Sequence, residues 1–144
     1  PSLHQIRRFI FHGFAKACHE CYSFDSGTER SFAQILEQDD EVLVWLRPAA
    51  MQFNIHWGRY SRRYEPDFVV ETTDTIYLVE TKARKELSNE EVLAKAEAAR
   101  QYCSLATDYT TQNGGKPWEY FLVSHLDIEP TFSFQYVREL SRGN

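Results

Sequence analysis

Two strand-forming runs that begin and end on charge constrain this chain most. Pro66-Asp67 opens onto Phe68-Val69-Val70, Thr72-Thr73-Asp74-Thr75 has the composition of a turn, and Ile76-Tyr77-Leu78-Val79 leads into Glu80-Thr81-Lys82. Apolar, β-branched and aromatic runs bounded by turn residues read as strands, so residues 67–82 are expected to form a hairpin. A two-residue turn at Thr73-Asp74, or a four-residue loop over Thr72 to Thr75, pairs Glu71 with Ile76, Val70 with Tyr77, Val69 with Leu78 and Phe68 with Val79. That register sets Asp67 opposite Glu80, whereas a three-residue loop shifts the pairing by one and spoils the alignment. Opposed residues on antiparallel strands have Cβ atoms about 4.5–5.5 Å apart, and like charges there are destabilising. Alternation along the second strand puts Ile76, Leu78, Glu80 and Lys82 on one face. Two carboxylates and an ammonium are therefore expected in one pocket, an arrangement that costs stability.

A hard cation is what holds two carboxylates together. Mg²⁺ takes oxygen ligands, keeps several waters and is commonly bound by one or two protein carboxylates plus substrate phosphate oxygens. A lysine beside such a site orients the attacking water or steadies charge building on a phosphate. The chemistry this implies is phosphodiester hydrolysis. The competing reading is a surface hairpin with ordinary solvated charges. Phe68-Val69-Val70 and Tyr77-Leu78-Val79 weigh against it, because they read as strands buried on both faces, and α/β proteins place ligands at the ends of such strands.

Tyr64-Glu65-Pro66-Asp67-Phe68-Val69-Val70 followed by Tyr77-Leu78-Val79-Glu80-Thr81-Lys82 resembles the PD-(D/E)xK nuclease signature. It most resembles the version in the C-terminal endonuclease domain of the restriction subunit of type III restriction–modification enzymes. Thr28-Glu29-Arg30-Ser31-Phe32-Ala33 and Val42 to Trp45 are similar to the helix and first strand that precede the hairpin in that group. Lys95-Ala96-Glu97-Ala98-Ala99, Tyr102-Cys103 and Trp118-Glu119-Tyr120 are similar to the helix and last strand that follow it, so the likeness covers roughly residues 24–125. The resemblance implies that Asp67 and Glu80 bind metal, Mg²⁺ with Mn²⁺ as a substitute, and that Lys82 is the catalytic lysine. Glu29 matches an acidic residue that many members supply from the first helix as a further metal or water contact. Its alternative is a plain first-turn acid behind the cap residues Asp25, Ser26 and Thr28. The implied substrate is double-stranded DNA. The implied partners are a helicase-like ATPase motor upstream in the same polypeptide and a methyltransferase subunit.

Composition bears on that expectation in two directions. The formal net charge is −5, whereas nucleic-acid binders usually carry a basic face that displaces counterions. The basic residues, however, cluster beside the hairpin: Arg59, Arg62 and Arg63 before it, and Lys82, Arg84 and Lys85 after it. Arg59, Arg62, Arg63, Arg84 and Lys85 are the candidate DNA contacts, on a domain whose acidic excess lies elsewhere and which needs a neighbour to bring DNA to it. Three cysteines without a framework suit a reducing cytoplasm, and no apolar run approaches the ~18 residues of a membrane span.

At 144 residues and 42% hydrophobic, the chain holds enough apolar material for one core. It reads as a single domain excised from a longer polypeptide, with a helical lead over 1–23, a nuclease core over 24–125 and an extension over 126–144. Helices are expected over 3–23, over 29–37 and after Ser88, where Glu91 three residues on completes a capping box. Val92, Ala96, Ala99 and Cys103 mark the buried face of that last helix, and Asn113-Gly114-Gly115 ends it. Strands are expected over Val42–Leu46, Met51–His56, after the Gly58 turn through Tyr64, in the hairpin and over Trp118–Val123. Phe132, Phe134 and Val137 belong to a short strand or helix. The order αββββαβ predicts a restriction-endonuclease-like α/β core, a mixed sheet of about four to five strands flanked by helices on both faces. Phe53, Trp57 and Tyr60 are expected to pack in the core.

Cys18-His19-Glu20-Cys21, with His12 upstream, has zinc-knuckle spacing but lacks a second ligand pair, so these cysteines read as small buried hydrophobes. Two further functions stay open: an inactive nuclease-fold docking or DNA-binding module, and a resolvase or repair nuclease built on the same core.

Overall fold

The computed structural model describes residues 27–48, 55–58 and 62–142. Among them, helix α1 (Gly27–Gln38) leads into strand β1 (Val42–Leu46). Then come β2 (Ile55–Trp57), β3 (Arg62–Tyr64), β4 (Phe68–Thr72), β5 (Ile76–Lys82), helix α2 (Glu90–Gln112), β6 (Trp118–Ser124) and helix α3 (Phe134–Ser141). The expected lead helix over 3–23, the cysteine pair Cys18 and Cys21, Phe53, Tyr60 and Arg59 lie outside the described residues.

The hairpin forms in the predicted register. Phe68 pairs with Val79, Val69 with Leu78, Val70 with Tyr77 and Glu71 with Ile76. Thr72 closes the turn, its N–H donating to the Thr75 carbonyl at 2.9 Å and its Oγ1 accepting from the Thr75 N–H at 3.2 Å. Around this hairpin the four-stranded sheet runs β1-β4-β5-β6. β1 and β4 are antiparallel, and β5 and β6 are parallel. A parallel neighbour needs a long crossover, and α2 supplies it. β4 and β5 are the interior strands of the sheet, which is why Phe68-Val69-Val70 and Ile76 to Val79 are apolar on both faces.

One expectation needs correction. Five strands, not four, separate α1 from α2, because β2 and β3 pair with each other as a separate two-stranded sheet. Pro66 divides β3 from β4: it lacks the N–H a continuous ladder needs, and its fixed φ turns the chain between Tyr64 and Phe68. Gly58, at φ +75°, makes the turn after β2 that leads back towards β3.

Each face of the main sheet has its own apolar layer. On one, Val69, Ile76 and Leu78 meet Ala96, Ala99 and Cys103 of α2 and Ile55 and Tyr64 of the small sheet, with Trp57 packed at the margin. The predicted helical face of residues 92–103 is thus the packed one, and the apolar surroundings push the Cys103 thiol up to about 12. Ser88 is not the cap, however. Asn89 takes that place, its side chain accepting from the backbone N–H groups of Glu91 and Val92. A 3-10 turn over Arg84–Glu86 brings Asn89, rather than Ser88, to the start of the helix. The helix ends where Asn113-Gly114-Gly115 was expected to end it, with Gly114 at φ +76°.

On the opposite face, Phe32, Ile35 and Leu36 of α1 and Phe134 and Val137 of α3 cover Phe68, Val70, Tyr77, Val79 and Phe121. The terminal segment is therefore a helix, and its aromatic ring is central to the core. The Phe134 ring centroid lies 5.0 Å from Tyr77, 5.7 Å from Phe121 and 6.2 Å from Phe32. Asp39 fixes the helix start by accepting the Phe134 N–H at 2.8 Å.

Phe134→Ala is expected to lower the unfolding free energy by about 3–5 kcal/mol, the range for emptying a buried aromatic site. Urea unfolding followed by tryptophan fluorescence measures it, and a loss below ~1 kcal/mol would contradict the packing described.

Candidate active site

The polar site grows out of the ends of β4 and β5. The last main-chain pair of the hairpin is Phe68 with Val79; one residue further a carboxylate takes over as acceptor. Asp67 Oδ2 accepts from the Thr81 backbone N–H at 2.9 Å and from its hydroxyl at 3.2 Å. This pair of bonds ties the residue after Pro66 to the far strand and aims Asp67 at the mouth of the hairpin.

Glu80 comes from β5, paired on its other side with Leu122 of β6, and is buried. Period-two alternation carries the face of Ile76 and Leu78 onward to Glu80 and Lys82, so the site is the polar end of the layer against α2. Glu80 Oε2 accepts from the Tyr64 hydroxyl at 2.5 Å, and Glu80 Oε1 lies 3.8 Å from Lys82 Nζ. Tyr64, Glu80, Lys82, Val92, Lys95 and Tyr120 line one small cavity at this point.

The electrostatics express the cost of the arrangement. Burial first, and then the charge of Asp67, push the Glu80 carboxyl up to about 8. The Tyr64 hydrogen bond and Lys82 oppose that rise, while a hydrogen bond with Asp67 adds to it. Asp67 and Glu80 thus meet at the hairpin mouth, where the charge of Asp67 disfavours ionisation of Glu80. The Tyr64 and Tyr120 hydroxyls are also pushed well up, by burial first and then by the nearby Glu80 charge.

Glu29 is buried on α1 and paired with Arg47, whose Nη2 stands 2.8 Å from Oε1. Arg47 Nε in turn reaches the Asp67 carbonyl oxygen at 3.5 Å. Glu29 is therefore linked to the backbone of Asp67 through an arginine. Among the described residues, no three His, Cys, Asp or Glu side chains converge as a metal cluster. The donor set is two carboxylates, both hard oxygen donors, which suits Mg²⁺ or Mn²⁺ and not a four-ligand zinc.

Of the predicted basic residues, Arg62, Arg63, Arg84 and Lys85 are exposed. The Arg62 guanidinium lies 5.7 Å from the centre of the Trp57 ring, and Arg84 pairs with Asp127 at 3.4 Å. Four contributors escaped the sequence reading. Thr81 and Tyr64 were legible as residues within the signature, yet the atoms they would hold were not. Arg47, just past the end of β1, and Tyr120 of β6 reach the site from strands whose neighbours depend on sheet order.

This fold and site define a nuclease-like domain of the PD-(D/E)xK kind. The chain belongs to the TnsA-like endonuclease N-terminal family, whose model matches residues 33–108, just over half the chain. The matched span contains Asp67, Glu80 and Lys82 and stops short of Glu29. No curated protein matches the chain.

The raised Glu80 carboxyl has a consequence for stability. The unfolded chain releases this proton above about pH 4.5, whereas the metal-free native state keeps it to about 8. Across that window the native state binds more protons, so stability falls as pH rises. Glu80→Gln, which cannot ionise, is expected to be more stable than wild type at pH 8 in chelator by on the order of 1–3 kcal/mol. The difference should vanish near pH 4.5; thermal midpoints at the two pH values check it.

Proposed function

We propose that this domain is a divalent-metal-dependent endodeoxyribonuclease that hydrolyses phosphodiester bonds in double-stranded DNA. The observation that carries the proposal is the meeting of Asp67 and Glu80, with burial and then the Asp67 charge raising the Glu80 carboxyl to about 8 and Lys82 3.8 Å from it. Asp67 and Glu80 would hold Mg²⁺, or Mn²⁺ in its place. The ion would supply a Lewis acid for the phosphate and lower the pKa of the attacking water.

The chain's own residues do the rest. Thr81 holds Asp67 through two hydrogen bonds, and Tyr64 holds Glu80 through one, so the two carboxylates are pre-set before substrate arrives. Lys82 Nζ, half-buried, donates to a phosphate oxygen and offsets the charge that accumulates as the water oxygen bonds to phosphorus and one P–O ester bond breaks. The attacking water releases a proton to solvent, and the departing alkoxide takes up a proton from solvent as it leaves. Glu29 acts through Arg47 as a brace on the Asp67 backbone, and Arg59, Arg62, Arg63, Arg84 and Lys85 contribute the basic rim for the DNA backbone. With a net charge of −5, the domain relies on a neighbouring part of its assembly to deliver DNA.

The narrower part of the proposal is the setting. The order of signature, helices and last strand resembles the nuclease domain of type III restriction enzymes. On that likeness the DNA would be delivered by a helicase-like ATPase motor in the same polypeptide, a methyltransferase would be the modification partner, and the place of action would be the cytoplasm. A requirement for ATP in cleavage by the full polypeptide supports this setting, and ATP-independent cleavage argues against it.

Plasmid cleavage in Mg²⁺ is expected to fall by about 10²-fold or more in Asp67→Ala and in Lys82→Ala. Wild-type rates in both variants would overturn the assignment.

A further inference from the structure

Lys95 is a cation of this region whose placement nothing above uses. It projects from α2 onto two aromatic faces, with Nζ 5.1 Å from the centre of the Trp57 ring and 5.9 Å from that of Tyr64. A lysine on an exposed helix face normally keeps its ammonium in water; this one is laid against the wall of the cavity that Glu80, Lys82, Tyr64 and Tyr120 line. Its side chain is only 28% exposed.

Its ion pairing is weak by comparison with the other half-buried cations. Arg47 meets Glu29 at 2.8 Å, Lys116 meets Glu71 at 2.8 Å and also donates to the Thr72 carbonyl, and Arg138 holds both oxygens of Glu119. Lys95 has Glu91 at 3.5 Å, a surface carboxylate 55% exposed and one helical turn away. Such pairs contribute little and are readily exchanged. Lys82, its neighbour in the cavity, is similarly loose at 3.8 Å. Charge counting gives the reason. With both carboxylates ionised on a divalent ion, Asp67, Glu80, Lys82, Lys95 and the loosely held Glu91 would leave the site net positive, an excess that an anionic phosphodiester relieves.

We propose that Lys95 is a second active-site lysine that contacts a backbone phosphate of the bound DNA, with Trp57 and Tyr64 as the shelf that aims it. The inference rests on the nuclease reading of the site and extends it to α2. Lys82 serves the phosphate at the carboxylates, and Lys95 fixes the strand against the small sheet.

The test is duplex binding to the full chain, by fluorescence anisotropy of a labelled duplex in Ca²⁺ across a salt series. Neutralising one phosphate-contacting lysine lowers the slope of log affinity against log salt by about one. Lys95→Gln is expected to show that loss with an unchanged thermal midpoint, and Lys95→Arg to restore the slope. A residue that merely packs α2 on Trp57 would shift the midpoint and leave the slope alone. An unchanged slope in Lys95→Gln overturns the proposal. If Asp67→Ala is inactive while Lys95→Gln keeps the wild-type slope, this inference alone fails. If Asp67→Ala cleaves normally, the reading beneath it fails too.

Discussion

The contact between the Asp67 and Glu80 carboxyl groups sets the terms for the rest of this structure. Bringing two acids together at the edge of a buried layer opposes folding, and burial first, then the charge of Asp67, push the Glu80 carboxyl up to about 8. The sheet is arranged to enforce the contact nonetheless. β4 and β5 are flanked by β1 and β6, covered by α2 and the small sheet on one face and by α1 and α3 on the other, so the hairpin has no freedom to slip. A register fixed this firmly keeps the two acids in place despite their repulsion.

Around the pair, each partner holds an atom without removing the charge. Thr81 contributes neutral donors to Asp67, Tyr64 contributes a neutral donor to Glu80, and the Lys82 ammonium stands 3.8 Å from Glu80. At the other end of the same hairpin the chemistry is different. Glu71 is closed off by Lys116 at 2.8 Å, an ion pair that consumes both charges. One sheet thus carries a carboxylate in a close lysine pair at its turn end and, at its open end, two carboxylates held by neutral donors.

Much of this was legible beforehand because the hairpin is local. Its register follows from turn length and from two apolar runs, and its charged ends follow by counting. The helical face of Val92, Ala96, Ala99 and Cys103 was legible for the same reason, being a periodicity within one element. What eluded the sequence depends on contacts between distant elements. The separate pairing of β2 and β3 rests on how Pro66 redirects the chain. The role of Arg47 rests on β1 lying beside β4, and those of Tyr64, Tyr120 and Lys95 on which layer covers the polar end of β5. The cap at Asn89 in place of Ser88 turned on a single 3-10 turn that no periodicity announces.

The central claim is that Asp67 and Glu80 form one cation site. Calorimetric titration of Mn²⁺ into wild type between pH 6 and pH 8.5 tests it directly, since bound metal must displace the Glu80 proton. Affinity is predicted to rise about tenfold per pH unit up to about 8 and then level off, with binding abolished in Asp67→Ala. Metal binding that is independent of pH and persists in Asp67→Ala would contradict it.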